Sequence, residues 1–161
     1  MAWDMANNNK FNNMKKVIFA SFLALAWLFN ACQSSNNPDH QAEDQLHEEV
    51  MAIHDEVMPK MGEINKLSRE LKKVAESSSN YDENVKSMAS NAIIQLEQAD
   101  EGMMGWMEAY QAPSKKRGEM DHAAIMQYLE AEKQKIGTVK VQMLESIQVG
   151  NAVLSEIQKA Q

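Results

Sequence analysis

Residues 85–110 read VKSMASNAIIQLEQADEGMMGWMEAY, and this stretch contains the pattern that decides the fold. Its apolar residues recur at alternating intervals of four and three residues without a break. They are Val85, Ala89, Ala92, Leu96, Ala99, Met103, Trp106 and Tyr110. This spacing places all of these side chains on one face of an α-helix, as at the a and d positions of a coiled coil. It predicts a helix over about 82–111, with Asp82 as a candidate N-cap.

The same spacing occurs on both sides of that stretch. The upstream positions are Leu46, Val50, Ile53, Val57, Ile64, Leu67, Leu71 and Val74. The downstream positions are Met126, Leu129, Ile136, Met143, Ile147, Leu154 and Ile157. Two more helices are therefore predicted, over about 39–76 and 121–160. Pro59 lies inside the first of them, where its missing N–H should interrupt the hydrogen-bond pattern.

Polar segments at 77–80 and 113–118 connect these helices. Because short connections make consecutive helices antiparallel, the predicted fold class is all-α. We expect residues 39–161 to form an elongated three-helix up-down-up antiparallel bundle, packed as a coiled coil. A helix of 38 residues would be about 57 Å long.

Residues 1–31 are predicted to be a signal peptide and do not belong to the bundle. Its basic residues are Lys10, Lys15 and Lys16. The apolar segment that follows, 17–29, is shorter than the about 20 residues that a membrane-crossing helix needs. Met14 opens a more typical signal than Met1 does, so either methionine is a candidate start.

The chain contains one cysteine, Cys32, directly after Ala31 at the end of the apolar segment. This arrangement looks like a bacterial lipobox. A lone cysteine cannot form an intramolecular disulfide, whereas several acyl chains on it would anchor the protein stably in a membrane. We expect cleavage before Cys32, lipid on Cys32 and a polar tether over 32–38. By resemblance to known sorting rules, Gln33 favours release to the outer membrane. No strongly acidic run directly follows Cys32, which favours the periplasmic face over the cell surface.

The charge of the processed chain argues against nucleic-acid binding. Three of the 16 basic residues and one of the 23 acidic residues precede Cys32, so the formal net charge after cleavage is −9. Such a surface repels phosphate backbones. The basic run 115–117 is interpreted as a solvated loop.

No catalytic signature is present in the sequence. It has no phosphate-binding glycine loop, no G-x-S-x-G motif and no C-x-x-C motif. The segment 47–51 departs from H-E-x-x-H because Met51 stands in place of the second histidine. A di-iron bundle needs two Glu-x-x-His motifs in its core, and only 119–122 fits. We therefore predict that the protein is not an enzyme and needs no cofactor.

Histidine and methionine are unevenly distributed in the first predicted helix. His47, Met51, His54, Met58 and Met61 follow one another at intervals of four, three, four and three residues, beside the apolar seam. Pairing in the first antiparallel hairpin should place His54 level with Met104. Pairing in the second should place Met107 level with Ala124, between His122 and Met126. We therefore expect the histidines and most methionines at the end of the bundle nearest the lipid anchor.

Three interpretations of this distribution are open, and the first is favoured. Methionine can be a flexible filler that packs against Trp106 and Tyr110. Thioether and imidazole ligands could instead form a copper site, because they suit Cu(I). Its ligands would be His54, Met58, Met61, Met103 and Met107, with His47, Met51, Met104, His122 and Met126 nearby. Finally, the helical faces could bind a protein partner or a second copy of the chain.

Two segments, together with the lipobox, resemble a known group of proteins. Residues 54–61 read HDEVMPKM and residues 100–107 read DEGMMGWM. They look like small Gram-negative lipoproteins that are often labelled "viral A-type inclusion protein". The resemblance spans most of the processed chain and implies neither an activity nor catalytic residues. The sequence thus predicts a membrane-anchored lipoprotein of the cell envelope with a binding or structural role.

Overall fold

The computed structural model describes residues 37–77 and 81–159. The predicted signal peptide, Cys32 and the tether as far as residue 36 lie outside these residues. By its contacts, the chain from Pro38 onward forms the second of two units. Within the described residues, no helix has the length and apolar character that crossing a membrane requires.

The second unit is built from helices. They are α1 (Pro38–Val57), a 3-10 turn (Met58–Lys60), α2 (Met61–Ala75), α3 (Glu83–Ala109), α4 (Pro113–Lys116) and α5 (His122–Lys159). The residues described contain no β-strand. The prediction of an all-α fold is therefore confirmed. The short helix α4 lies in a segment that was predicted to be a loop.

Local chemistry accounts for where the helices begin and break. Pro59 lies in the 3-10 turn that separates α1 from α2, as expected of a residue without a backbone N–H. The carboxylate of Asp82 accepts a hydrogen bond from the N–H of Val85 (2.9 Å), which confirms Asp82 as the N-cap of α3. Asp121 caps α5 in the same way, through the N–H of Ala124 at 2.8 Å.

Side-chain contacts give the direction in which the helices pack. Those between α1–α2 and α3 join His54 to Trp106, Asn65 to Asp100 and Lys72 to Glu97. Residue numbers rise on one side and fall on the other, so α3 runs opposite to α1 and α2. Those between α1 and α5 join Glu49 to Lys133 and Glu56 to Lys140, each at 2.6 Å. Here both numbers rise together, so α1 and α5 run in the same direction.

The predicted seams of the first two helical segments are buried, apart from Ile53, Val85 and Tyr110, which are partly buried. The seam of α5 is different from the prediction. Its buried residues are Ile125, Leu129, Glu132, Ile136, Val139, Met143, Ser146, Ile147, Gly150, Val153 and Ile157. Apart from Ile147, they follow intervals of four and three throughout. Met126 and Leu154, which were predicted to lie on the seam, are only partly buried.

Gly150 lies where three helices approach closely. A Cβ atom there would lie 3.4 Å from the Cδ1 atoms of both Leu67 in α2 and Leu96 in α3. These are ordinary van der Waals contacts, so a side chain that extends beyond Cβ would have to displace the two leucines. Gly150 thus occupies a core position for which its small size is suited, and α5 continues through it without interruption.

Candidate functional site at the methionine and histidine end

A row of aromatic rings runs along the contact between α1 and α3. The ring of His54 packs against Trp106, with centroids 5.6 Å apart and planes 32° apart. Trp106 stacks on Tyr110 at 4.7 Å, and His47 stacks on Tyr110 at 5.8 Å. The Nδ1 atom of His47 also lies 2.6 Å from the hydroxyl of Tyr110. These rings fix the orientation of two histidines that the sequence placed on one stripe.

His54 has the hydrogen-bond arrangement of a metal-binding histidine. Its Nδ1 atom lies 2.8 Å from a carboxylate oxygen of Asp55. An ionised carboxylate in that position accepts a hydrogen bond from Nδ1–H, which leaves the lone pair of the neutral ring on Nε2. The His54 side chain is 14% exposed. It is therefore held in one orientation and still reaches the surface.

The methionines of the predicted copper site occupy two kinds of position. Met103 is fully buried in the core, where it fills space between the helices. The other methionines, Met51, Met58, Met61 and Met107, are partly buried and pack against the margin of that core. Met104 is 52% exposed. The filler interpretation thus fits Met103, whereas the marginal methionines combine contact with the core and access from the surface.

His122 and Met126 lie away from this group, contrary to the predicted register of the second hairpin. The N–H of Gln111, one turn beyond Met107, donates to the hydroxyl of Tyr128 at 2.8 Å. Ala124 therefore lies beyond the end of α3 rather than level with Met107. Met126 packs instead in a separate small cluster with the buried residues Leu46, Ile125 and Leu129. The predicted pairing placed the C-terminus of α3 level with the N-terminus of α5. In the structure, α5 begins beyond the end of α3, beside the first turns of α1.

At the end of the helical unit where α1 and α5 begin, a buried carboxylate joins separate parts of the chain. Glu43 is only 1% exposed and accepts hydrogen bonds from Nε of Arg117 (2.6 Å) and Nδ1 of His122 (2.9 Å). Arg117 also donates to the carbonyl of His40 and to Asp44. Burial raises the pKa of Glu43, but the hydrogen bonds from Arg117 and His122 outweigh it, so the pKa lies below its ordinary value.

Sequence reasoning missed this network. The interpretation of 115–117 as a solvated loop is wrong for Arg117, whose side chain is 22% exposed and joins the loop to α1. One signal was available in the sequence. Glu43 stands three residues before Leu46, on the apolar seam, and a carboxylate at such a position needs a partner.

A second buried carboxylate, Glu132, lies on the seam of α5 near two tyrosines. It is 4% exposed and accepts a hydrogen bond from Nζ of Lys135 at 2.7 Å. Burial, together with the neighbouring Tyr128 and Glu132, raises the pKa of Tyr110 to about 12. Burial also raises the pKa of Tyr128. Both tyrosines are therefore held in the neutral form that can donate a hydrogen bond.

The acidic and histidine side chains of this region contact one another, but they do not form a set of three metal ligands. In the part of the chain that the structure describes, no three His, Cys, Asp or Glu residues are placed to hold a metal ion. Within the same residues, the indole N–H of Trp106 is a buried polar atom without a hydrogen-bond partner. A metal site among the described residues would need a ligand of another kind, and methionine sulfur is one.

Comparison with known proteins identifies no relative: the chain matches no family model, no curated protein and no solved structure.

Proposed function

We propose that the protein is a lipoprotein of the bacterial cell envelope that acts by binding or as a structural element, without catalysis. Lipid on Cys32 would anchor it in the outer membrane, with the bundle in the periplasm. The order of basic residues, short apolar segment and cysteine in residues 10–32 supports the anchor. The observation that carries the non-catalytic role is that the buried carboxylates, Glu43 and Glu132, are both paired with cations.

We further propose that residues 38–159 form an elongated three-helix up-down-up bundle of the coiled-coil type, with α1 and α2 together as the first rod. The opposite direction of α3 and the shared direction of α1 and α5 support this arrangement. Because α1 begins directly after the tether, the end that contains Glu43 and Arg117 would lie nearest the membrane. The edge with His54 would lie about three turns of helix further along.

The anchor can be tested by following Cys32. The full chain would be produced in a Gram-negative host, as wild type, as Cys32→Ser and as the matched control Ser34→Ala. We expect wild type and the control to begin at an acylated Cys32 in mass spectrometry and to fractionate with the outer membrane. Cys32→Ser should be neither acylated nor retained there. A wild-type chain without acyl groups would contradict the proposal.

A protein-binding role through an apolar groove finds less support. The seams of the described helices are covered by one another, and the large apolar residues left exposed are few among the residues described. They are Ile94, Met104, Val141 and Leu144. The partly exposed histidine and methionine side chains between α1 and α3 are the better candidate for a binding surface.

A further inference from the structure

We propose that the contact between α1 and α3 holds one Cu(I) ion, bound by Nε2 of His54 and the sulfurs of Met58 and Met107. We call these three residues, with Met104 beside them, the α1–α3 edge. The inference rests on the proposed binding function of the bundle and does not depend on the lipid anchor. It narrows the predicted ligand set, because Met103 fills the core and Met61 lies nearly one turn beyond Met58.

His54 differs from the other histidines of this end in what its ring nitrogens contact. Nδ1 of His54 is engaged by Asp55, and within residues 37–77 and 81–159 no group forms a hydrogen bond with its Nε2. In contrast, both nitrogens of His122 face carboxylates, at 2.9 Å from Glu43 and 3.9 Å from Asp39. The Nδ1 of His47 contacts the hydroxyl of Tyr110, which can donate as well as accept and therefore does not fix the tautomer as the carboxylate of Asp55 does. His54 is therefore the ring whose lone pair on Nε2 is best prepared for a metal.

The two sulfurs come from opposite sides of the same contact. Met58 follows His54 by four residues, which places the two side chains on one face, one turn apart. On α3, Met107 is the neighbour of Trp106, the residue that packs against His54. The bond from Asn65 to Asp100 holds the helices in an antiparallel register in which Met58, seven residues before Asn65, lies level with Met107, seven residues after Asp100. Both Met58 and Met107 are partly buried, so each can turn its sulfur toward the edge.

The chemistry of the three proposed ligands determines which metal ion they would bind. Thioether and imidazole are soft or intermediate ligands that suit Cu(I), whereas Mg²⁺ and Ca²⁺ require several oxygen ligands. All three proposed ligands are neutral, so binding a monovalent cation leaves one net positive charge at the site. The nearby carboxylate of Asp55 and the net negative charge of the domain offset that charge. Ag(I) has the same charge and softness and can serve as a probe that is not oxidised in air.

Exposure determines which methionine sulfurs an ion could reach. Met103 and Met143 are fully buried, as fillers should be. At the α1–α3 edge, Met58 and Met107 are only partly buried and Met104 is 52% exposed. Met58 and Met107 pack against the core on one side and remain accessible to an ion on the other. Their concentration beside the prepared Nε2 of His54 points to ligation.

The inference can be tested by Cu(I) titration of the full chain in detergent, without oxygen and against a chromogenic Cu(I) chelator. We expect about one ion per chain, with a Kd tighter than roughly micromolar. The double variant Met58→Leu, Met107→Leu should weaken binding at least about tenfold, and Asp55→Asn should weaken it about tenfold through the orientation of His54. The matched control is Met88→Leu, a partly buried methionine on α3 near the opposite end, which should bind as wild type does.

A second measurement locates the ion and controls for misfolding. With ¹³C-methyl methionine, Ag(I) should shift the NMR signals of Met58 and Met107 and leave those of Met88 and Met143 in place. Binding weaker than micromolar, or equal in the double variant, would overturn the site, and so would shifts confined to Met120 and Met126. Acylation of Cys32 is measured separately. An acylated chain that binds no Cu(I) therefore refutes the metal site alone, and a copper-binding chain without acyl groups refutes the anchor alone.

Discussion

Glu43 is the residue whose placement most needs compensation. A carboxylate that is 1% exposed loses its hydration, and an unpaired charge there would cost several kcal/mol. Arg117 and His122 supply two hydrogen bonds from different parts of the chain. One side chain thereby fixes the beginning of α1 against the loop before α5 and against the first turn of α5.

Replacing this carboxylate should destabilise the protein and reduce its sensitivity to acid. Since the pKa of Glu43 is lowered from 4.5 by folding, its stabilisation is present above pH 4.5 and is lost as the pH falls through the folded value. We expect Glu43→Gln to lower the free energy of unfolding by about 3 kcal/mol at pH 7, because Arg117 loses its buried partner. The difference from wild type should shrink toward pH 3 in urea titrations.

The matched control for Glu43 is Asp44→Asn. Asp44 binds the same arginine, but its side chain is 56% exposed. An exposed pair contributes about 1 kcal/mol or less, so this variant should stay close to wild type. Equal losses for the two variants would show that burial of the carboxylate is not the source of the effect.

Tyr110 should make the protein sensitive to alkali. Its pKa is raised from 10.0 to about 12, so the folded state retains a proton that the unfolded chain loses, and stability declines between pH 10 and 12. At pH 8, Tyr110→Phe should cost about 1 kcal/mol, through the lost contact with His47. At pH 11 the gap between the variant and wild type should be smaller. Denaturant unfolding at both pH values measures it, and a constant gap would argue against the raised pKa.

At the scale of the element, α5 packs against the core along one face although three residues of that face are polar or small. Glu132, Ser146 and Gly150 all lie on its buried seam. Lys135 neutralises Glu132, the hydroxyl of Ser146 donates to the carbonyl of Met143, and Gly150 makes room for two leucines. Each exception therefore has a local compensation, and the helix continues from His122 to Lys159.

Two glycines of α5 should respond in opposite ways to larger side chains. Nothing lies within 4 Å of a Cβ built on Gly137, so Gly137→Ala should stabilise the protein by about 0.5–1 kcal/mol through helix propensity. Gly150→Val should destabilise it by about 1–3 kcal/mol, because the side chain would overlap with Leu67 and Leu96. Urea unfolding measures both, and an increase in stability for Gly150→Val would contradict the close packing of the three helices.

At the scale of the whole helical unit, charge pairs match α1 to α5. Glu49 pairs with Lys133 and Glu56 with Lys140, so successive pairs are seven residues apart on both helices. This is the interval at which a coiled coil repeats its flanking positions. The pairs are partly exposed, so they contribute more to alignment than to stability.

Charge reversal should show whether Glu56 faces Lys140 across the contact between α1 and α5. We expect Glu56→Lys and Lys140→Glu each to lower the free energy of unfolding, and their combination to recover about 0.5 kcal/mol in a double-mutant cycle. The mismatched combination of Glu56→Lys with Lys133→Glu should recover less. Equal recovery by the two combinations would mean that α1 and α5 are not held in this register.

The residues that sequence reasoning predicted correctly depend on local chemistry. A helix follows from intervals of four and three because side chains so spaced share one face, and the Asp82 cap bonds a residue only three positions away. The interruption at Pro59 is equally local. The seam of α5 was partly misassigned because Glu132 and Ser146 do not stand out as core residues by hydrophobicity. The ligand set of the α1–α3 edge remains a prediction, since it depends on sulfur and nitrogen atoms from two helices.

The all-helical class and the apolar seam through 85–110 could be read from the sequence alone, since each rests on neighbours in the chain. The lipobox that ends at Cys32 remains a prediction of the same local kind. Only the tertiary structure decided which residues of neighbouring helices lie level with one another. It places His122 and Met126 away from Met107, pairs Arg117 with the buried Glu43 and sets the ring of His54 against Trp106. The physical reason is that long-range register depends on where each helix starts and which charges and volumes meet, and periodicity along one helix carries no information about either.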